Sequence, residues 1–257
     1  MCLLVVAWRS HPRYRLVVAG NRDEFHERPT APLGWWSDAP GTLAGRDLRA
    51  GGTWLGLDRS GRFGLVTNFR DASGASATAP SRGQLVPAFL RHARPAAEFL
   101  AELQPAAQSY AGFNLLLGDV GDLHYFTNVG DATPRRLPPG IYGQSNHRLD
   151  EPWPKLVRTR RRLAAVLADA NPEPAQLFAL LADRTPAEYG SPPDTGLPPD
   201  LERALSAPFV RHDRYGTRCS TVALIEHDGR TVVLERRFDA TGTQIGAGRI
   251  EFVGTAG

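Results

Sequence analysis

The first two dozen residues constrain the fold more than any other stretch. Two apolar runs, residues 3–8 and 16–19, are parted by His11-Pro12-Arg13. Short runs rich in β-branched residues and bounded by turn residues read as buried strands of a hairpin. Such a hairpin brings the chain back beside its own start, so that Asn21-Arg22-Asp23-Glu24 emerges near Cys2. Removal of Met1, favoured by the small residue that follows it, would leave Cys2 with a thiol and a free α-amine on one carbon. The amine titrates near about 7.7–8.0 and a thiol near about 8.5. The amine can therefore serve as base for its own thiol, directly or through one water. The same residues also fit a plainer arrangement, with Cys2 a small buried residue opening an edge strand and the charged tetrapeptide a solvated strand end.

Residues 26–50 carry Pro29, Pro32, Pro40 and several glycines and read as loop; Trp35 and Trp36 within it either line a pocket or pack on the core. Residues 53–57 and 62–68 form a hairpin around Asp58-Arg59-Ser60-Gly61, a strong turn sequence. Asn68, at its end, either points its amide at a reacting carbonyl or satisfies a turn. Residues 71–82 are small and polar, an exposed loop. Helices are predicted over 84–92 and 95–103, a second hairpin over 113–118 and 123–128, and a short strand over 141–145 leading to Asn146. The strongest helix covers 155–170, with Pro154 at its start and Asn171-Pro172 at its stop; another covers 176–182. Residues 185–200, rich in Pro and Gly, read as a long surface loop, the kind that serves as a lid. A last hairpin spans 219–226 and 231–238, with an edge strand at 249–253. Hairpins first, helices in the middle and a hairpin last predict an α+β layered sandwich of antiparallel sheets, one domain over residues 1–257, rather than a doubly wound sheet.

Composition narrows the function. Hydrophobic content of 42% and charged content of 22% are those of an ordinary globular protein. The net charge of +3 is carried almost wholly by arginine, with Lys155 the only lysine, and is spread along the chain. No basic stripe marks a nucleic-acid partner, and Arg158, Arg160, Arg161 and Arg162 read as a solvated helix face. Cys2 and Cys219 have neither metal nor redox spacing; Cys219 reads as a packing residue, and low cysteine usage fits a reducing cytoplasm. The N-terminal apolar run is broken by Arg9 too early for a signal peptide or a membrane span. His26, His92, His124, His147 and His212 are scattered and form no metal-ligand pattern.

Six blocks run in order along the chain: Asn21-Arg22-Asp23-Glu24, Gly51-Gly52-Thr53-Trp54-Leu55-Gly56, Thr67-Asn68-Phe69, Gly112-Phe113-Asn114-Leu115, Gly140-Ile141-Tyr142-Gly143-Gln144-Ser145-Asn146, and Tyr215-Gly216-Thr217-Arg218-Cys219-Ser220-Thr221-Val222. With Met1-Cys2 at the start, the chain resembles the NRDE family of transport and Golgi organisation proteins over roughly its whole length. That family is similar to the N-terminal-nucleophile hydrolases, and within them to the branch of bile-salt hydrolases and penicillin V acylases. The resemblance implies a four-layer αββα sandwich and cleavage of a non-peptide amide C–N bond, or acyl transfer, with Cys2 as nucleophile. It also implies Asp23 holding the protonated amine, Asn146 donating to the oxyanion with Asn68, and Arg218 beside the thiolate. Asn21, Arg22, Trp54 and Tyr215, within the matching blocks, are the candidate binding residues. One departure stands out. The acylase branch has an Arg three residues before its Asp, where this chain has Gly20, and Arg22 should leave its strand on the face opposite Asp23.

The reaction so implied needs no cofactor and no metal, and its partner is a small amide or acyl substrate. The alternative implied by the same resemblance is a carrier without turnover, for haem or a lipid. The sequence lends haem little support of its own, having no Cys-x-x-Cys-His and no paired histidines.

Overall fold

The computed structural model describes residues 2–70, 79–188 and 195–254, with the main chain only for Cys2. The chain begins with β1 (Cys2–Trp8) and β2 (Tyr14–Phe25), the hairpin expected from the two apolar runs. His11 builds its turn, its Nδ1 accepting the N–H groups of Arg13 and Tyr14. There follow β3 (Thr30–Trp36), β4 (Ala39–Asp47), β5 (Leu55–Leu57) and β6 (Phe63–Asn68), then α1 (Leu85–Leu90) and α2 (Ala96–Leu103). Next come β7 (Phe113–Gly118), β8 (Leu123–Thr127), β9 (Arg135–Arg136) and β10 (Gly140–Gln144). Three helices, α3 (Pro154–Val166), α4 (Pro174–Leu181) and α5 (Pro199–Leu205), precede β11 (Tyr215–Glu226), β12 (Arg230–Phe238) and β13 (Gln244–Val253).

The strands form two antiparallel sheets, a six-stranded one in the order β10-β1-β2-β11-β12-β13 and a seven-stranded one in the order β3-β4-β5-β6-β7-β8-β9. Strand alternation sorts the apolar residues into layers. Leu4, Val6, Trp8, Leu16 and Val18 of the first sheet meet Leu43, Leu57, Phe63, Leu65 and Leu116 of the second in a core between the sheets. The odd-numbered Leu3, Val5, Val17 and Ala19 face the other way, onto Leu156 and Leu163 of α3 and Leu177, Leu180 and Leu181 of α4. The far face of the second sheet packs Val66, Leu115 and Leu117 against Val86 and Phe89 of α1 and Leu100 of α2. The order is helix, sheet, sheet, helix, the four-layer α+β sandwich expected.

Two readings of the sequence need correction. Residues 26–50 are not a loop: β3 and β4 pair through them. Pro32 is tolerated because β3 is the edge of its sheet. Trp36 is buried there, and Trp35 packs edge-on against Phe252. The stretch 185–200 is not loop throughout, because α5 starts at Pro199, a residue suited to a first helical turn. Part of that stretch, residues 189–194, and the polar segment 71–78 lie outside the described residues.

One buried arginine ties a sheet to its helices. Arg62, at the start of the β6 arm, donates to the carbonyl oxygens of Phe89, His92 and Arg94, just where α1 ends. Helix ends leave such carbonyls without intrahelical partners. His92 O also accepts the Arg94 N–H, so Arg62→Met should strand the carbonyls of Phe89 and Arg94 and lower stability by about 2–3 kcal/mol. A thermal melt should fall by roughly 4–12 °C; an unchanged melt would show the bonds to be dispensable.

Candidate active site

Cys2 opens β1 and pairs directly with Arg22 of β2. Arg22 in turn pairs with Cys219 of β11. The two sides of β2 then part, as alternation demands. Arg22 is 4% exposed and faces the second sheet. Its guanidinium lies over the Trp54 ring, 4.5 Å from the centroid. It donates to Thr30 Oγ1 at 3.1 Å and to Asp47 Oδ2 at 3.2 Å. Trp54 reaches this position over Gly45, where an added Cβ would stand 2.5 Å from the indole. Burial works against ionisation of Asp47, yet hydrogen bonds from Arg28 and from the N–H groups of Ala50 and Arg49 hold its carboxyl below the usual range.

Asp23 points the other way and is 1% exposed. Its Oδ1 accepts the Thr217 hydroxyl at 2.7 Å, and its main-chain oxygen accepts the Tyr215 hydroxyl at 2.7 Å. Burial pushes its carboxyl up from the ordinary value, against the pull of Lys155, of the Thr217 hydrogen bond and of Arg22. Lys155, the only lysine, is buried at the start of α3 and donates to Leu205 O at 2.8 Å. Nothing in its sequence context marks it except that rarity.

Asn21 lines neither cleft described below. Its amide nitrogen donates to Leu181 O and Pro208 O at 2.9 and 2.8 Å, and its oxygen accepts the Ser220 hydroxyl at 2.6 Å. The expected binding residue is a tie between sheet and helical layer. Asn146, also 1% exposed, donates to Asn68 O at 2.9 Å, and its own main-chain oxygen accepts the Arg70 N–H at 2.7 Å. The pair bridges the ends of the two sheets. One of the two amide hydrogens of Asn146 is thus committed to the main chain, while the Asn68 side chain is exposed.

Arg218 occupies a bulge. Thr217 pairs with Asp23 and Cys219 with Arg22, leaving Arg218 as the extra residue. Its Nη1 donates to the carbonyls of Phe25, His26 and Arg28, so the guanidinium clamps the turn leaving β2. Burial, then repulsion from Arg22, lowers its pKa. Cys219 is buried beside Glu235, whose carboxyl burial pushes up and which accepts the Leu33 N–H.

Two clefts meet at this end of the sandwich. One, of about 710 Å³, is polar; Arg22, Asp23, Glu24, Arg28, Asp47 and Trp54 are among its walls. The other, of about 690 Å³, is largely apolar, with Phe69, Leu197, Leu201, Leu205, Asn146 and Tyr215. Phe25, Asn68, Arg82 and Arg214 line both. Sequence reasoning missed Arg82, Arg214 and Thr217, which become neighbours of the site only through pairing over long separations. Among the described residues no cluster of His, Cys, Asp and Glu could hold a metal ion, and no helix is long and apolar enough to cross a membrane.

The sequence profile of the Transport and Golgi organisation 2 family matches residues 1–240. The chain belongs to this family. The Transport and Golgi organization protein 2 homolog of Bos taurus is 32% identical over 257 residues, covering 92% of each chain. The Drosophila melanogaster protein is 25% identical over 264 residues, covering 91% of each. Among solved structures, the C2A mutant of the conjugated bile acid hydrolase from Clostridium perfringens superposes with a TM-score of 0.53 at 7% identity, covering 98% of this chain and 92% of that one. The chain therefore shares the fold of that hydrolase, the four-layer α+β sandwich that the sequence resemblance implied.

Proposed function

We propose that the protein is a cysteine amidohydrolase, or an acyl-transfer enzyme, that uses Cys2 as an N-terminal nucleophile on the C–N bond of an amphipathic amide. The observation that carries this reading is convergence. The fold brings the start of β1, the buried carboxylate of Asp23 and the Asn68–Asn146 pair to one end of the sandwich, where a polar and an apolar cleft share a wall. In the proposed reaction the α-amine takes the thiol proton and the sulfur attacks the amide carbon. The amides of Asn146 and Asn68 hold the resulting oxyanion. Collapse breaks the C–N bond, the leaving amine takes the proton back, and water or a second amine clears the thioester. Asp23 fixes the ammonium through the cycle. A lost oxyanion donor typically costs about 100- to 1000-fold in turnover.

Intact mass of the purified protein before and after a thiol-reactive acyl probe tests the reading. The expected result is loss of Met1 and rapid modification of the wild type by one acyl group, absent from Cys2→Ala. Retained Met1, or modification no faster than that of an ordinary thiol, would refute it.

A second reading, carriage of a flat apolar anion such as haem without turnover, is favoured by one observation. His212 lines the apolar cleft together with Phe25, Phe69 and Tyr215, and Arg82 and Arg214 line it too. Titration with haem should then shift the Soret band in the wild type and not in His212→Ala.

A further inference from the structure

Open sheet edges invite pairing with another strand, and folded proteins blunt them. Among the described residues, three of the four sheet edges are blunted. β9 has two residues. β10 has five, and at Gly143 both the N–H and the carbonyl are engaged by Asp150. β3 carries Pro32 and two irregularities of register. The fourth edge, β13, is ten residues long with neither proline nor lysine. It keeps unbroken register with β12 from Gly246 to Val253.

The register also shows which peptide groups of β13 are open. Gly254 N–H donates to Gly229 O, so even-numbered residues turn their N–H and C=O toward β12. The odd-numbered ones, Ala247, Arg249, Glu251 and Val253, turn theirs outward. Their side chains are exposed too, and Ile245 and Val253 are among the exposed large apolar residues of the protein. Arg249 and Glu251 form an ion pair on that exposed face.

We propose that β13 is the interface for a second copy of this chain, the two strands pairing antiparallel across a two-fold axis at Ile250. Charge selects the register. In this arrangement odd residues face odd residues, so every open N–H and C=O between Ala247 and Val253 finds a partner. Arg249 stands opposite Glu251 of the second copy, twice over, and Ala247 opposite Val253. A shift of the strands one way sets Arg249 against its own copy; a shift the other way sets Glu251 against its own copy. Directly opposed like charges are unfavourable and opposite ones favourable. The interface is isologous, and it closes at two subunits because pairing consumes the edge.

Sedimentation velocity over a dilution series from micromolar concentrations upward tests this. The wild type should show a reversible monomer–dimer equilibrium. Arg249→Glu alone and Glu251→Arg alone each replace two attractive pairs by two repulsive ones and should weaken association by about ten-fold or more. The double charge swap restores both pairs in the same register and should restore the dimer. Ala247→Pro removes only an outward N–H, so it should give a folded monomer with a melt near that of the wild type. A wild type that stays monomeric throughout, or single reversals that dimerise as well as the wild type, would overturn the proposal. So would a double swap no better than the singles.

Discussion

Asn21→Ala should be among the most destabilising substitutions in the protein while leaving the chemistry of the folded molecules intact. The side chain is buried and makes three hydrogen bonds, to Leu181 O, Pro208 O and the Ser220 hydroxyl. Alanine would strand two carbonyls and a hydroxyl in the layer between the first sheet and α4. A buried polar group left without a partner costs about 1–3 kcal/mol. With some relaxation the sum is about 3–5 kcal/mol, which lowers the melt by something on the order of 10 °C. Asn21 lines neither cleft. Acylation of Cys2, measured well below the melt, should therefore proceed at the wild-type rate. An unchanged melt would show that the tie is not needed. A normal melt with lost reactivity would move Asn21 into the binding machinery.

The contrast within Asn21-Arg22-Asp23-Glu24 shows how far the sequence could be read. Alternation alone placed Arg22 and Asp23 on opposite faces, and the structure has Arg22 over Trp54 and Asp23 against Thr217. It could not tell which face meets helices and which meets the second sheet, because both faces of β2 are buried over most of its length. A binding role for Asn21 and a structural one therefore looked alike. The hairpins were legible where turn residues punctuate apolar runs, as at Asp58–Gly61, with Gly61 at φ +79°. They were illegible at β3 and β4, where Pro32 and the glycines dilute the signal that an edge strand can do without. The short helix α5 was hidden in Pro/Gly-rich sequence. Arg218 was expected beside the thiolate. Its position depends on a bulge of one residue in β11, which no spacing in the sequence reveals. The partners of the Asn68–Asn146 bridge are 78 residues apart, a pairing that exists only once both sheets are stacked.

Asp23→Asn should separate catalysis from stability in the opposite sense to Asn21→Ala. The substitution is nearly isosteric, and its Oδ1 can still accept the Thr217 hydroxyl, which stands 2.7 Å from Asp23 Oδ1. What it removes is a negative charge that burial disfavours. Because the carboxyl is pushed above its ordinary value, the native state holds its proton more tightly than the unfolded chain does. The stability this gives is complete below about pH 3.9, the unfolded value, and is lost as pH rises through the native pKa. The asparagine variant escapes that loss. Near neutral pH it should be more stable than the wild type, with the higher melt of the two. The two melts should converge as the pH falls through the carboxylate range. On the proposed mechanism the same variant can no longer hold the ammonium of Cys2, so acylation and turnover should fall by about 100- to 10,000-fold. A residue that merely packs would show the gain in stability without the loss of rate. That result, in protein from which Met1 has been removed, would leave the amine of Cys2 without its partner and take Asp23 out of the mechanism.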